Sequence, residues 1–401
     1  MGAFTGTLNQ NEIFAGVYNM IISQEIFADN LKHNYNLVDK ARVDGGLYGD
    51  QKLYYATDIL KVNEWGADSE ASNLLSLDRP ASPSVQAIVL DKFKQIRVTI
   101  DNYLSKRFFM NEGAFASFNG VILGWLGETR RVFENLLYNT FIGTDVSSTG
   151  RQTIQLSYTL PNGVALGTEE ANRLTAQYVA KEVANLVDDM KDYSRDFNDY
   201  QYMRSYDEDE IKFIWNSDVL NTITLLDLPT IFHNEEVRKH LTEEKLRPKY
   251  FGIVITSSNL ATYSASTPTT NKPINSSTGA YTPGSNNANG IVRSLVERDV
   301  TVSGTTYHVR PGDEIPAGST VKASSGDFGY NETYFGTPND VAVKLYTKLP
   351  PHMSSFSVGT SFFNARSLTE NHYLTFGYNT HEHLKNYPCI TVKLSVAEYS
   401  A

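Results

Sequence analysis

Apolar residues step by four and three from Val179 through Val183, Leu186, Met190, Tyr193 and Phe197 to Tyr200. That spacing predicts one amphipathic helix over 168–200, capped by Thr168, with Glu169 and Glu170 in the first turn where the helix dipole favours carboxylates. Lys181, Glu182, Asp188, Asp189, Lys191, Asp192, Arg195 and Asp196 fill its other face. At 1.5 Å per residue the rod would be roughly 45 Å long. A second helix is predicted over 114–143, on a face traced by Phe115, Phe118, Ile122, Trp125, Thr129, Val132, Leu136 and Tyr138 or Asn139. Gly124 and Gly127 lie inside it and each costs about 1 kcal/mol against Ala, so a close backbone approach or a break is expected there. Further helices are expected over 11–32, from Ile13, Phe14, Val17, Ile21, Ile22 and Ile26, and over 235–250, a polar segment stopped by Pro248.

Elsewhere the period shortens to two. Strands are predicted over 51–62, over 85–100 (Phe93, Ile96, Val98, Ile100) and over 151–160 (Ile154, Leu156, Tyr158, Leu160). A buried strand and short helix follow over 211–226, then a buried strand over 251–258, and strands from 341 to 399. The class is α+β. The first two strands are joined by WGADSEASNLLSLDRPASPS, far longer than a hairpin needs. We therefore expect residues 60–100 to protrude, under-packed within their own chain, with the tip touching another subunit and Leu74, Leu75 and Leu77 outside the core. Before this hairpin, VDGGLYGD (43–50) predicts tight turns with positive φ at one or more of Gly45, Gly46 and Gly49. It fails the G-x-G-x-x-G spacing of a dinucleotide loop. From Ser257 to Gly290 the chain is mostly Ser, Thr, Asn, Gly, Ala and Pro, and we read it as an ordered surface insertion without a core of its own. A small β-rich patch with dense turn signals follows, up to about residue 341.

Composition narrows the function. The 401 residues carry 45 acidic and 35 basic side chains, a net charge of −10, which argues against a freestanding nucleic-acid binder. Aromatics reach 12%, with 24 Tyr, and suit large half-polar contacts in cores or between subunits. A single cysteine, Cys389, forms no internal disulfide. The opening MGAFTGTLNQNEIF has no basic region before an apolar run, so no signal peptide is expected; Gly6 breaks the myristoylation pattern. No run approaches the ~20 apolar residues of a spanning helix.

Catalytic motifs are missing. The sequence holds no P-loop, no nucleophile elbow and no cysteine zinc knuckle, and no cofactor is expected. His381 and His383 are weak metal candidates. In a strand, residues two apart share a face, but Lys385 breaks H-E-x-x-H, and a solvated or interface histidine pair is favoured. The run Asp207–Glu210 reads as a solvated loop before a cation site. VRPGDEIPAG (309–318) reads as two turns around Ile315 before a carbohydrate or partner site. Lys92 and Lys94 could supply an isopeptide bond, but read first as lysines guarding a strand from aggregation.

The order of parts carries a resemblance: an arm, a long two-stranded loop, a helix, a strand, a long helix, an α/β piece with an insertion, and a return of strands. With VDGGLYGD before the hairpin and KQIRVTIDNYLSKRFFMNEGAFASFN after it, the chain resembles the major capsid proteins of tailed bacteriophages, which share the Hong Kong 97 fold. The resemblance implies an N-terminal arm (1–50), an E-loop (51–103), a peripheral P domain (104–225 and 341–401, spine helix 168–200) and an axial A domain (226–340) carrying the 257–340 insertion on the shell exterior. It implies a structural protein and not an enzyme. Copies would form hexamers and pentamers and close an icosahedral or prolate shell around double-stranded DNA, without sequence specificity and without a membrane. Partners would include a separate scaffolding protein, since no scaffolding segment is recognisable in the chain, and a portal. The location would be the virion, after assembly in the host cytoplasm. Inter-subunit contacts are expected at Trp65, Leu74, Leu75, Lys92, Phe93, Lys94 and Arg97. A net charge of −10 fits a container that must release DNA. Other readings are an encapsulin-like compartment shell, a tail or fibre protein presenting the insertion to a glycan, and an enzyme using His381, Glu382 and His383.

Overall fold

In the computed structural model the described residues are 37–46, 49–62, 79–101, 112–145, 152–225, 244–283, 290–322, 326–337, 340–355 and 358–399. The predicted helix 11–32, most of 235–250, and Trp65, Leu74, Leu75 and Leu77 lie outside them. In chain order the elements begin with α1 (Leu37–Ala41), β1 (Arg42–Asp44), β2 (Gln51–Ala56), β3 (Ser84–Val89), β4 (Lys92–Asp101) and α2 (Glu112–Gly143). Then come β5 (Thr144–Asp145), β6 (Gln152–Thr159), α3 (Glu169–Lys191), β7 (Lys212–Asn216), α4 (Ser217–Leu225), β8 (Glu244–Leu246) and β9 (Gly252–Val254). The insertion supplies α5 (Leu260–Tyr263), β10 (Ser264–Ala265), β11 (Ile274–Asn275), β12 (Val292–Ser294), β13 (Arg298–Val302), β14 (Thr305–Val309) and β15 (Thr333–Gly336). The return consists of β16 (Val341–Tyr346), β17 (His352–Ser354), β18 (Val358–Asn364), β19 (Thr369–Tyr378) and β20 (Cys389–Ala397).

The central sheet runs β6-β20-β16-β7-β8. Every residue of β16 is buried, because both faces of the sheet are covered. Phe213 and Trp215 of β7 turn to one side, where Val179, Val183, Leu186 and Met190 of α3 lie. Ile214 between them turns to the other side, toward Tyr138 and Ile142 of α2 and Leu37 and Val38 of α1. This period-two division of apolar side chains between two helical layers builds the main core.

Helix α3 starts as predicted, with Thr168 Oγ1 accepting from Ala171 N at 3.2 Å. It ends at Lys191 after 23 residues, about 34 Å, and the predicted continuation to 200 is wrong. Polar side chains capture the backbone there, as Asp, Ser and Asn do in competition with a helix. Asp192 is extended and its carboxylate accepts from Tyr193 N; Ser194 exchanges two main-chain hydrogen bonds with Arg204; Asn198 bonds Tyr202 N and O. Tyr193, placed on the apolar stripe by spacing, is exposed.

The longest helix is instead α2, with 32 residues and no break at Gly124 or Gly127. A Cβ at either glycine would meet open space, so no close approach explains them. Trp125 and Thr129, expected on the buried face, are exposed, whereas Phe133 further along is buried. The close approach occurs at Gly143, where a Cβ would strike the Tyr250 carbonyl.

Residues 85–100 form two strands, not one. β3 pairs with β2, whereas β4 pairs along its whole length with β19. Between them Leu90 is fully buried and bonds the Asp50 carbonyl, and Asp91 accepts from Thr380 N (2.8 Å) and Oγ1 (2.7 Å). Ile88 and Leu90 pack on Met353 and Leu384, so this part of 60–100 belongs to the body and does not protrude. Ile59, Leu60 and Val62 are exposed as expected. Where a helix was predicted to end at Pro248, β8 pairs in parallel with β7 and buries Leu246, and Pro248 opens a 3-10 turn.

The insertion is not coreless. Tyr263, Ile274 and Tyr281 of its Ser/Thr-rich half join Val292, Val300, Val309, Ile315, Val321 and Phe328 of its β-rich half in one buried cluster. Large residues are few in the first half, but each is turned inward. Ile315 lies between turns made by Gly312 (φ +87°) and Gly318 (φ +89°), as its turn chemistry predicted. Positive φ also occurs at Gly49.

Candidate assembly surfaces

Strand alternation divides the β2–β3 hairpin into two faces. Gln86 and Ile88 turn inward and are buried. Leu53, Tyr55, Val85 and Val89 turn outward with 44, 64, 49 and 38% of their surface exposed. Tyr55 sits directly opposite Val85, and Leu53 opposite Ala87, so the outward side chains form one apolar patch. Ile59, Leu60 and Val62, which follow β2 in the chain, are also exposed.

A second exposed surface is the sheet of β4, β19 and β18, in which β17 also joins β19. The expected contact residues Lys92, Phe93, Lys94 and Arg97 are all exposed on β4, and among the described residues no strand pairs with its outer edge. Lys92 makes an ion pair with Asp91 at 3.7 Å. Phe93 lies against Gly377, where a Cβ would meet its ring at 2.9 Å. Lys94 stands opposite Phe376, and Arg97 opposite Tyr373. Phe362, Phe363 and Leu368, at and near the far end of β18–β19, are also exposed.

His381 and His383 are not in a strand, and of the expected solvated or interface pair the solvated form does not hold. Both rings lie along Phe141, with centroids 5.2 and 4.6 Å away, and His383 also stacks on Tyr346. His381 Nε2 meets His352 Nδ1 at 2.9 Å. Burial, reinforced by His352 and opposed by Glu134, pulls the His381 imidazole down to about 3. Beyond His352 sits the buried Glu134. Its carboxylate accepts from Arg130 Nε (2.8 Å) and Arg42 Nη2 (2.9 Å), and His352 Nε2 lies 3.9 Å away. Burial raises the Glu134 carboxyl, but His352 and Arg130 outweigh it and hold it down to about 2. Among the described residues no group of three or more His, Cys, Asp or Glu is arranged to hold a metal. Asp207–Glu210 forms a surface turn in which Glu208 pairs with Lys191 at 2.7 Å.

No family model matches the chain, and no curated protein sequence does. Solved structures do. A chain in the capsid structure of Staphylococcus phage Andhra superposes with a TM-score of 0.55 at 11% identity, over 92% of this chain and 87% of that one. A chain in the structure of the head fibre and inner core protein gp22 of native bacteriophage P68 gives 0.53 at 11% identity, over 90% and 88%. The chain has the Hong Kong 97-type phage capsid fold.

In this capsid fold the hairpin is tied down by residues that sequence reasoning missed. The Gln86 amide donates to His383 O and accepts from Lys385 N, both at 2.9 Å, and so imitates a strand partner. Ser84 Oγ and Tyr202 Oη lie 2.7 Å apart. Asp58 accepts from Met203 N (3.0 Å) and Arg195 Nη1 (2.8 Å), and Arg204 Nη2 donates to Thr57 O (2.6 Å). Met203 and Arg195 hold the Asp58 carboxyl below its ordinary value. These partners are more than a hundred residues apart in the chain, so no local pattern announces them.

Proposed function

We propose that the chain is the major capsid protein of a bacteriophage: a non-enzymatic shell subunit whose copies form hexamers and pentamers and close an icosahedral or prolate head around double-stranded DNA. The uncovered apolar face of β2–β3 carries this reading. Four large side chains held outward on one hairpin face form the kind of exposed apolar patch that a partner surface covers, and in a capsid fold that partner is another copy. Residues 1–50 act as the arm, 51–103 as the E-loop, 104–225 and 341–401 as the peripheral domain and 226–340 as the axial domain. A separate scaffolding protein directs closure and a portal occupies one vertex, within the host cytoplasm, before the shell becomes part of the virion. The insertion faces outward; its buried cluster, closed beneath by Ile255 and by the pairing of β15 with β9, supports a module seated on its own chain.

Negative-stain microscopy of the expressed chain, alone and with its neighbouring gene products, tests the reading. Closed shells are expected. Dispersed monomers under every combination would overturn it.

A further inference from the structure

The hairpin is held to the body unequally by its two strands. On the β3 side the contacts are buried: Gln86 is 6% exposed, and Ile88 and Leu90 are inserted between Met353 and Leu384. Parting them would strand the amide and main-chain groups it satisfies and open a cavity. On the β2 side Tyr54 packs against the same cluster and Ala56 is buried, but past Ala56 the contacts are polar and lie nearer the surface. The Asp58–Arg195 pair is 21 and 49% exposed, and water replaces such partners at little cost. Arg204 reaches Thr57 O from the same loop and also donates to Asn386 Oδ1 at 3.1 Å.

The receiving loop, 192–206, is itself held in shape. Gln201 has φ +54°, a left-handed conformation unfavourable for a side chain with a Cβ. It is kept there by the turn that Asn198 closes and by Arg195 Nη1 donating to its carbonyl at 2.8 Å. Arg195 therefore joins loop shape to hairpin position: one guanidinium nitrogen serves both Asp58 and Gln201.

We infer that loop 192–206 is a latch for the hairpin. It holds the outer end of the hairpin through Asp58, Thr57 and Ser84, while Gln86, Leu90 and Tyr54 form a buried pivot. The angle of the hairpin to the body is then set inside the free subunit, and it changes by release of the loop contacts. The inference rests on the proposed assembly role only for its consequence in shells.

The test uses the full chain as free subunits in a Cys389→Ser background, with nitroxide labels introduced by Lys61→Cys, just past the outer end of β2, and Lys181→Cys on α3. Pulsed dipolar spectroscopy of the parent is expected to give one narrow distance distribution. Asp58→Ala with Arg204→Ala is expected to add a second, displaced population, while Asp58→Asn, which keeps one carbonyl acceptor, stays close to the parent. If the Arg204 substitution prevents folding, judged by circular dichroism, Asp58→Ala with Arg195→Gln replaces it. A broad distribution in the parent overturns the latch, and so does an unchanged narrow one in the released variants. Because the measurement needs no shell, a parent that never assembles defeats the capsid reading and leaves the latch to be judged by its distances. In shells, released subunits are expected to lose uniformity of particle diameter; uniform particles from a variant with two distance populations would overturn the claim that the latch sets the angle used in assembly.

Discussion

Arg42 reaches across 2.9 Å to Glu134, tying the strand that follows the first described helix to the middle of the longest one. The pairing is lopsided, because Glu134 is buried and the guanidinium is one-third exposed. Arg42→Ala leaves the carboxylate with Arg130, and should lower unfolding free energy by about 1–2 kcal/mol. Glu134→Ala removes the common partner of both arginines and the neighbour of His352, and should lower it by about 2–4 kcal/mol. Urea titration of each variant checks the order; equal effects would contradict it.

Acid should loosen the subunit over a defined window. His381 is held down to about 3 in the fold against an ordinary 6.5, so below 6.5 the unfolded chain takes up a proton that the folded one refuses. Glu134 is held down to about 2 against 4.5, so its contribution is present above 4.5 and lost as pH falls toward 2. His381 makes stability fall as pH drops below 6.5, and Glu134 adds to the fall below 4.5. Arg42 and Arg130 pair with Glu134, His352 lies between the two groups and Tyr378 stacks on His381; all stay in place in the test. The melting temperature, followed from pH 7 to 4, should drop less in His381→Phe than in the parent, and a parallel pair of curves would count against this cause.

His308 works in the opposite sense. Its Nδ1 lies 2.6 Å from Asp299 and its Nε2 2.8 Å from Glu297, which raise it despite partial burial. The contribution is complete below the ordinary 6.5 and lost as pH rises through the raised folded value. NMR titration of the ring should show the elevation, and Glu297→Gln should reduce it.

Glycines separate two kinds of site. Gly124→Ala and Gly127→Ala enter open space on a helix, and should each stabilise the free subunit by about 1 kcal/mol. Gly252→Ala drives a Cβ into the Phe335 carbonyl and the Tyr334 ring, and should destabilise it by about 1–3 kcal/mol. Thermal melts of the three variants decide the signs.

Charging the outward hairpin face should spare folding and stop assembly. Leu53→Asp and Tyr55→Asp alter exposed positions, so the free subunit should keep its stability within about 0.5 kcal/mol. Sedimentation should then show capsomers or monomers in place of shells. Shell yield equal to the parent's would remove that face from the interface.

Much of this molecule was legible in its sequence, for local reasons. VAVKLYT announces a strand, and Thr168 announces a helix start, because the deciding signals are a few residues away. Other features depended on distant partners. The four-three stripe ran on through Tyr193, Phe197 and Tyr200, but Asp192, Ser194 and Asn198 took the backbone out of the helix and bound it to Tyr202 and Arg204. The spacing of His381 and His383 suits a metal in a strand; Phe141 and Tyr346, from two other elements, make them packed rings instead. A glutamine in an alternating strand carries no signal at all, yet Gln86 fixes the hairpin to a segment 297 residues further on.

Strand β20, Cys389–Ala397, is an inner member of the central sheet, parallel to β6 on one side and antiparallel to β16 on the other. Chains are synthesised from the N-terminal end at about 5–20 residues per second. During translation β6 and β16 therefore wait with an open slot between them, and Leu156, Val343 and Leu345 lack their seal. Only when residue 397 clears the ribosome can the slot fill. Products truncated before β20 would lack this sheet's inner strand, so translation itself acts as the inspector of which chains can fold.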